Sequence, residues 1–154
     1  MADQAMDQTT DEYSVYVPDK DDAEGFPIDI DDPVQVNLIE ETGMESMRAR
    51  LWYFEPGEKV SYHYHHEQEE IFYVVQGTGQ VVVGEDQEEI EVPEGGFFRP
   101  ETTTPRQLRN DSDEEVVWLI IGAPPEVEAK IWDTYDEAGQ PADDGEFKDL
   151  DHFF

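Results

Sequence analysis

Along the middle of the chain, apolar and polar positions alternate in short bursts. The runs 48–54, 59–65, 71–76, 80–83, 89–92, 97–99, 106–109 and 116–121 are short, and most are rich in β-branched and aromatic residues. Turn signals separate them: Glu55-Pro56-Gly57, Gln76-Gly77-Thr78-Gly79, Gly84-Glu85-Asp86, Pro93-Glu94-Gly95-Gly96 and Asn110-Asp111-Ser112-Asp113. No stretch sustains the 3.6-residue period of a long helix. Many short strands with regular turns predict an all-β sandwich or barrel. The chain then divides into a disordered acidic N-terminus (1–11), an extension that adds strands to the barrel (12–47, with a strand near 34–39), the barrel core (48–125) and a C-terminal extension (126–154). Within that last part, 125–135 predicts a short helix or turn that packs Ile131 and Trp132 on the barrel. With Gly139, Pro141 and Gly145, 136–149 reads as loop or tail. Phe153 and Phe154 form an apolar end that docks on a neighbour or stands in solvent.

Composition narrows the function. At 154 residues one domain is expected, long enough to bury a core. The absence of cysteine excludes disulfide scaffolds, thiolate zinc sites, iron–sulfur clusters and cysteine nucleophiles. With 40 Asp and Glu against nine Lys and Arg, the formal charge is −31. A nucleic-acid or anionic-membrane surface needs clustered cations, so neither partner is expected. High charge with few aromatics would mean disorder, but here aromatics make up 12% and are clustered, so the middle should fold. The charge is uneven: 1–47 holds 14 acids and one base, and 126–154 holds ten acids and two bases. A folded domain so acidic repels itself unless counter-ions screen it, and the composition resembles that of proteins from salt-loving organisms. No secretory signal or membrane-length apolar run appears, which leads to the expectation of a soluble, cytoplasmic protein.

Three of the four histidines fall in four positions, His63, His65 and His66. On a strand, His63 and His65 share a face and Tyr62 and Tyr64 take the other. Two imidazoles side by side in an interior need something to satisfy their nitrogens, and a divalent metal does so. Glu67, Glu69 and Glu70 are the nearby carboxylates. Two His and one carboxylate with open positions is the donor set of non-haem iron oxygenases.

Gly57, five residues, His63-x-His65, four residues, Glu70, six residues and Gly77 resemble the first motif of the cupin superfamily without a gap. The resemblance selects Glu70, since only it leaves six residues before Gly77. It implies a small antiparallel jelly-roll β-barrel, commonly a homodimer. It also implies one divalent metal ion (Fe, Mn, Ni, Cu or Zn) held by His63, His65 and Glu70.

The family's second motif, Gly-(five)-Pro-x-Gly-(two)-His-(three)-Asn, is only partly matched. With its Asn on Asn110 its first Gly falls on Gly95, but Glu101, Thr103 and Arg106 stand at the Pro, second Gly and His positions. No histidine exists between His66 and His152 to serve as fourth ligand. Arg106 cannot coordinate a metal. It could displace the ion by pairing with Glu70, bind an anionic substrate group beside a three-ligand ion, or point outward. Alternation from Asn110 favours the inward placement. Arg99 and Arg109 read as partners of neighbouring acids, each exposed pair worth only ~0–1 kcal/mol. His66 reads as exposed and His152 as outside any site. Phe72, Phe98 and Leu108 face inward with the site residues, as core or as walls of a substrate pocket.

A fold does not name a reaction. The first expectation is a small metal-binding protein that binds or transforms a small anionic metabolite at the His/His/Glu centre, with Arg106 orienting it. The alternative is a non-catalytic ligand-binding protein in which Arg106 replaces the fourth ligand.

Overall fold

The computed structural model describes residues 7–25, 33–126 and 128–150. An N-terminal hairpin joins β1 (Gln8–Thr9) to β2 (Ser14–Val15). β3 (Val34–Asn37) leads into the one-turn helix α1 (Leu38–Thr42). β4 (Arg48–Phe54), β5 (His63–Tyr64), β6 (Glu69–Gln76), β7 (Gly79–Val83), β8 (Glu88–Val92), β9 (Phe97–Phe98), β10 (Arg106–Arg109) and β11 (Val116–Ala123) follow. β12 (Ala129–Trp132) and β13 (Phe147–Leu150) end the described chain. One sheet runs β3-β4-β11-β6-β9 and the other β13-β12-β5-β10-β7-β8. From β4 to β11 the chain passes back and forth between the two, all in antiparallel pairs, which makes a jelly roll. Among the described residues no helix is long and apolar enough to cross a membrane.

Alternation places the core. Trp52 and Phe54 of β4, Phe72 and Val74 of β6, Trp118 of β11 and Leu108 of β10 interlock between the sheets. Two turns depend on glycine: Gly57 and Gly77 have φ of 87° and 83°, a left-handed conformation that other residues resist. At Gly77 an added Cβ would also stand 3.0 Å from the Glu115 carbonyl oxygen.

Three local expectations are corrected. Residues 7–11 are not without structure: Thr10 Oγ1 accepts from the amides of Glu12 and Tyr13 and closes the β1–β2 turn. The strand near 34–39 ends at Asn37, whose side chain accepts from the Ile39 amide and starts α1. At 125–135 the structure has strand β12 in place of a helix, paired with the edge of β5 through Lys130↔Tyr64 and Ile131↔His63. An open edge with unmatched amides and carbonyls outweighs the weak local preference of a four-residue segment. Trp132 does pack as expected, edge-on against Tyr62.

The stretch 136–149 is likewise held in place. Gln107 and Arg109 donate to the carbonyls of Gly139 and Ala138, and β13 pairs with β12. Residues 1–6, His152, Phe153 and Phe154 lie outside the described residues.

Candidate metal centre

His63, His65 and Glu70 meet at the end of the jelly roll where β4, β6 and β10 begin and β11 ends. β5 carries His63, and His65 follows just past the strand, fixed by its amide donating to the Thr102 carbonyl. Glu70 is the second residue of β6 and points between the sheets with Phe72 and Val74. All three are buried, and one ligand atom from each lies within 4.8 Å of the others.

Each imidazole has an acceptor facing its Nδ1. His63 Nδ1 lies 2.9 Å from the Ser61 carbonyl oxygen, so Nδ1 carries the proton and Nε2 keeps its lone pair. His65 Nδ1 faces Glu126 Oε1 at 3.5 Å, while its Nε2 stands 3.3 Å from Glu70 Oε1. That approach lacks hydrogen-bond alignment, and Glu70 Oε1 has no donor among the described residues. Two ligands of one tetrahedral ion, each about 2.1 Å from it, stand roughly 3.4 Å apart without a hydrogen bond. The donor set therefore fits a divalent ion in spacing and in chemistry.

Electrostatics agree. Burial, assisted by the charges of His65 and Arg106, pushes His63 down to about 3, so it is neutral and able to ligate. For Glu70, burial opposes ionisation, but contact with His65 and the charge of Arg106 outweigh it. The carboxyl is drawn down to about 2 and stays anionic.

Arg106 is fully buried and opposite His63 in the β10–β5 register. Its Nη1 and Nη2 donate to the carbonyls of Thr102 and Glu101, at 3.4 and 3.2 Å, and its Nε has no acceptor among the described residues. Asn110, the motif's last residue, is structural: it donates to the carbonyls of Phe54 and Glu114 and accepts from Ser112. Phe72, Phe98 and Leu108 sit in the packed core, two positions along the strands from Glu70 and Arg106 in the case of Phe72 and Leu108. His66, Glu67 and Glu69 are exposed. Arg99 bridges Glu69 and Glu101, and Arg109 holds Asp111.

Two features escape sequence reasoning. Glu126 is far along the chain from His65 and no local pattern points to it. It closes the 66–67 turn, its two oxygens accepting from the amides of His66 and Glu67. Arg48 and Arg50 share the inward face of β4 with Trp52 and Phe54, and Glu70's charge acts on both guanidiniums. The alternation of β4 was the available signal.

Residues 50–122 match the family model described as Cupin domain. Among solved structures, a sugar phosphate isomerase from a cupin superfamily of Silicibacter pomeroyi is 22% identical, with TM-score 0.64 over 86% of this chain and 90% of that one. A proposed sugar phosphate isomerase from Acidithiobacillus ferrooxidans is 27% identical, with TM-score 0.56 over 77% of each chain. A Cupin 2 conserved barrel domain protein from Salinispora arenicola is 16% identical, with TM-score 0.60 over 78% and 90%. No curated protein sequence matches the chain.

Proposed function

This chain belongs to the cupin superfamily, and on that footing we propose that His63, His65 and Glu70 hold one divalent metal ion at which a small anionic metabolite binds or is transformed. The observation that carries it is the convergence of three buried ligand atoms, with an acceptor facing Nδ1 of each imidazole. A divalent ion supplies Lewis acidity at neutral pH. The chain's own contribution is to keep His63 neutral and Glu70 anionic and to place a permanent cation, Arg106, beside them. The proposed sugar phosphate isomerase from Acidithiobacillus ferrooxidans supports a sugar phosphate as one class of such metabolites.

A second function has its own support. Arg106 stands where the family places a fourth ligand and is steadied by the 101–102 carbonyls, which suits a non-catalytic anion binder. Exposed Ile71, Val75 and Phe97 on the outer face of β6 and β9 support a homodimer. The charge of −31 supports a cytoplasm of concentrated salt. Sedimentation over a range of KCl concentrations reads both subunit number and salt dependence.

Competition with a metallochromic dye tests the centre. Wild-type protein is expected to withdraw about one ion per chain from the dye. Glu126→Gln removes the charge that faces His65 Nδ1 and one of the two acceptor oxygens of the 66–67 turn, and is expected to bind the ion about 10–100-fold less tightly, with a thermal midpoint lowered by the lost turn hydrogen bond. A wild-type chain that leaves all the metal on the dye overturns the proposal.

A further inference from the structure

Tyr62 directly precedes β5, and alternation sends its ring away from His63 and out of the core cluster, to where β12 and β13 supply Trp132 and Phe147. A pocket of about 250 Å³ opens there, lined by these three rings with Glu85 and Gln87. Between centroids, Tyr62 stands 5.8 Å from Trp132 and 5.5 Å from Phe147, and Trp132 stands 4.9 Å from Phe147. Trp132 is inclined at 73° to Tyr62 and 78° to Phe147, so the three rings meet as a corner and not as a stack.

The rim is polar and fixed. The Tyr62 hydroxyl donates to the Gly84 carbonyl at 2.5 Å and ties the ring to the 84–87 turn. That turn brings Glu85 to the pocket, together with Gln87, whose φ of 54° is uncommon outside glycine and whose side chain accepts from Gln140 Nε2. Burial, and then the charges of Glu85 and Asp86, push the Tyr62 hydroxyl up to about 12, so the field at the tip of the ring is negative. Among the described residues no Lys or Arg lines the pocket, and Lys148, next to Phe147, is paired with Glu146.

Aliphatic side chains would pack β12 and β13 on the sheet as well. What rings add is an electron-rich face, which attracts a cation. An anion is repelled by the ring faces and the carboxylates alike. A small inorganic cation is strongly hydrated, whereas a methylated ammonium is apolar in outline and still charged. We propose that this pocket binds a small quaternary ammonium compound, with its methyl groups against Tyr62, Trp132 and Phe147 and its charge beside Glu85. The space is below the roughly 300–1,000 Å³ of sites for drug-sized ligands, which restricts the occupant to a small molecule. Its binding energy comes from the rings and the carboxylate and does not require the metal centre.

Calorimetric titration of chelator-treated protein at constant ionic strength in KCl tests it, with choline and its neutral carbon isostere 3,3-dimethyl-1-butanol as probes. Choline is expected to bind saturably and the isostere about tenfold more weakly or worse. Phe147→Leu and Trp132→Leu keep the site apolar and remove a ring face, and each should weaken choline about threefold to thirtyfold. Glu85→Gln should weaken it several-fold. Glu91→Gln removes an exposed acid that does not line the pocket and should leave affinity unchanged. Trp132→Leu also loses the hydrogen bond to the Ala142 carbonyl and risks the fold, so Phe147→Leu, Glu85→Gln and the isostere comparison on wild type carry the test. Absence of saturable choline binding, an isostere that binds as tightly as choline, or undiminished affinity in both Phe147→Leu and Glu85→Gln would overturn the proposal.

Discussion

Glu70→Gln is expected to destabilise the protein by roughly 3–5 kcal/mol, the cost of leaving buried charge uncompensated, and to abolish tight metal binding. The two effects have one origin. Glu70 is the carboxylate whose charge acts on Arg48, Arg50 and Arg106, and it is also the only carboxylate of the three-ligand group. Glutamine keeps the shape and removes the charge, so packing contributes little to the loss. Denaturant unfolding of chelator-treated protein isolates the first effect, and dye competition reads the second. A stability within about 1 kcal/mol of wild type, less than one buried hydrogen bond to a charged group, would show that the arginines are neutralised without Glu70.

The largest effect away from the site is expected at Trp118. It is fully buried at the centre of β11, between Trp52 and Val74 in register, and edge-on to Phe72 at 6.1 Å. Gly79 makes room for it: a Cβ there would come within 2.1 Å of the indole. Trp118→Ala should cost about 3–5 kcal/mol through lost transfer energy and the cavity left behind, a large part of a typical domain's 5–15 kcal/mol. Trp118→Phe should cost much less. The indole N–H has no acceptor among the described residues, so its removal relieves a desolvation penalty of about 1–3 kcal/mol that offsets part of the lost volume. Guanidinium unfolding of the three proteins checks the order. Equal losses for Ala and Phe would mean that packing around Trp118 is not what holds the sheets together.

The sheets were largely legible in the sequence because a half-buried strand advertises itself by alternation, and the turns by Gly, Pro, Asn and Asp. His63, His65 and Glu70 were legible because they lie within eight positions, on or just beside two strands consecutive in sequence, and their spacing is a family pattern. Inward-facing Arg106 followed from the same alternation. Arg48 and Arg50 obey it too, but an arginine reads as a surface residue unless its strand partners are consulted, and Trp52 and Phe54 were the partners to consult. Glu126 could not be read at all, because its role depends on a turn in space rather than on a neighbour in sequence. β12 and β13 are set by the open edge of β5. A short segment among acids and glycines takes its conformation from such an edge and not from its own composition.

The most direct measurement is elemental analysis of wild type and His65→Ala, both produced without a His-tag and purified without chelator. About one ion of iron, manganese, nickel, copper or zinc per wild-type chain is the result expected of a single mononuclear site, with none in the folded variant. A wild-type chain that carries no metal and takes none up on reconstitution would contradict a metal centre at His63, His65 and Glu70.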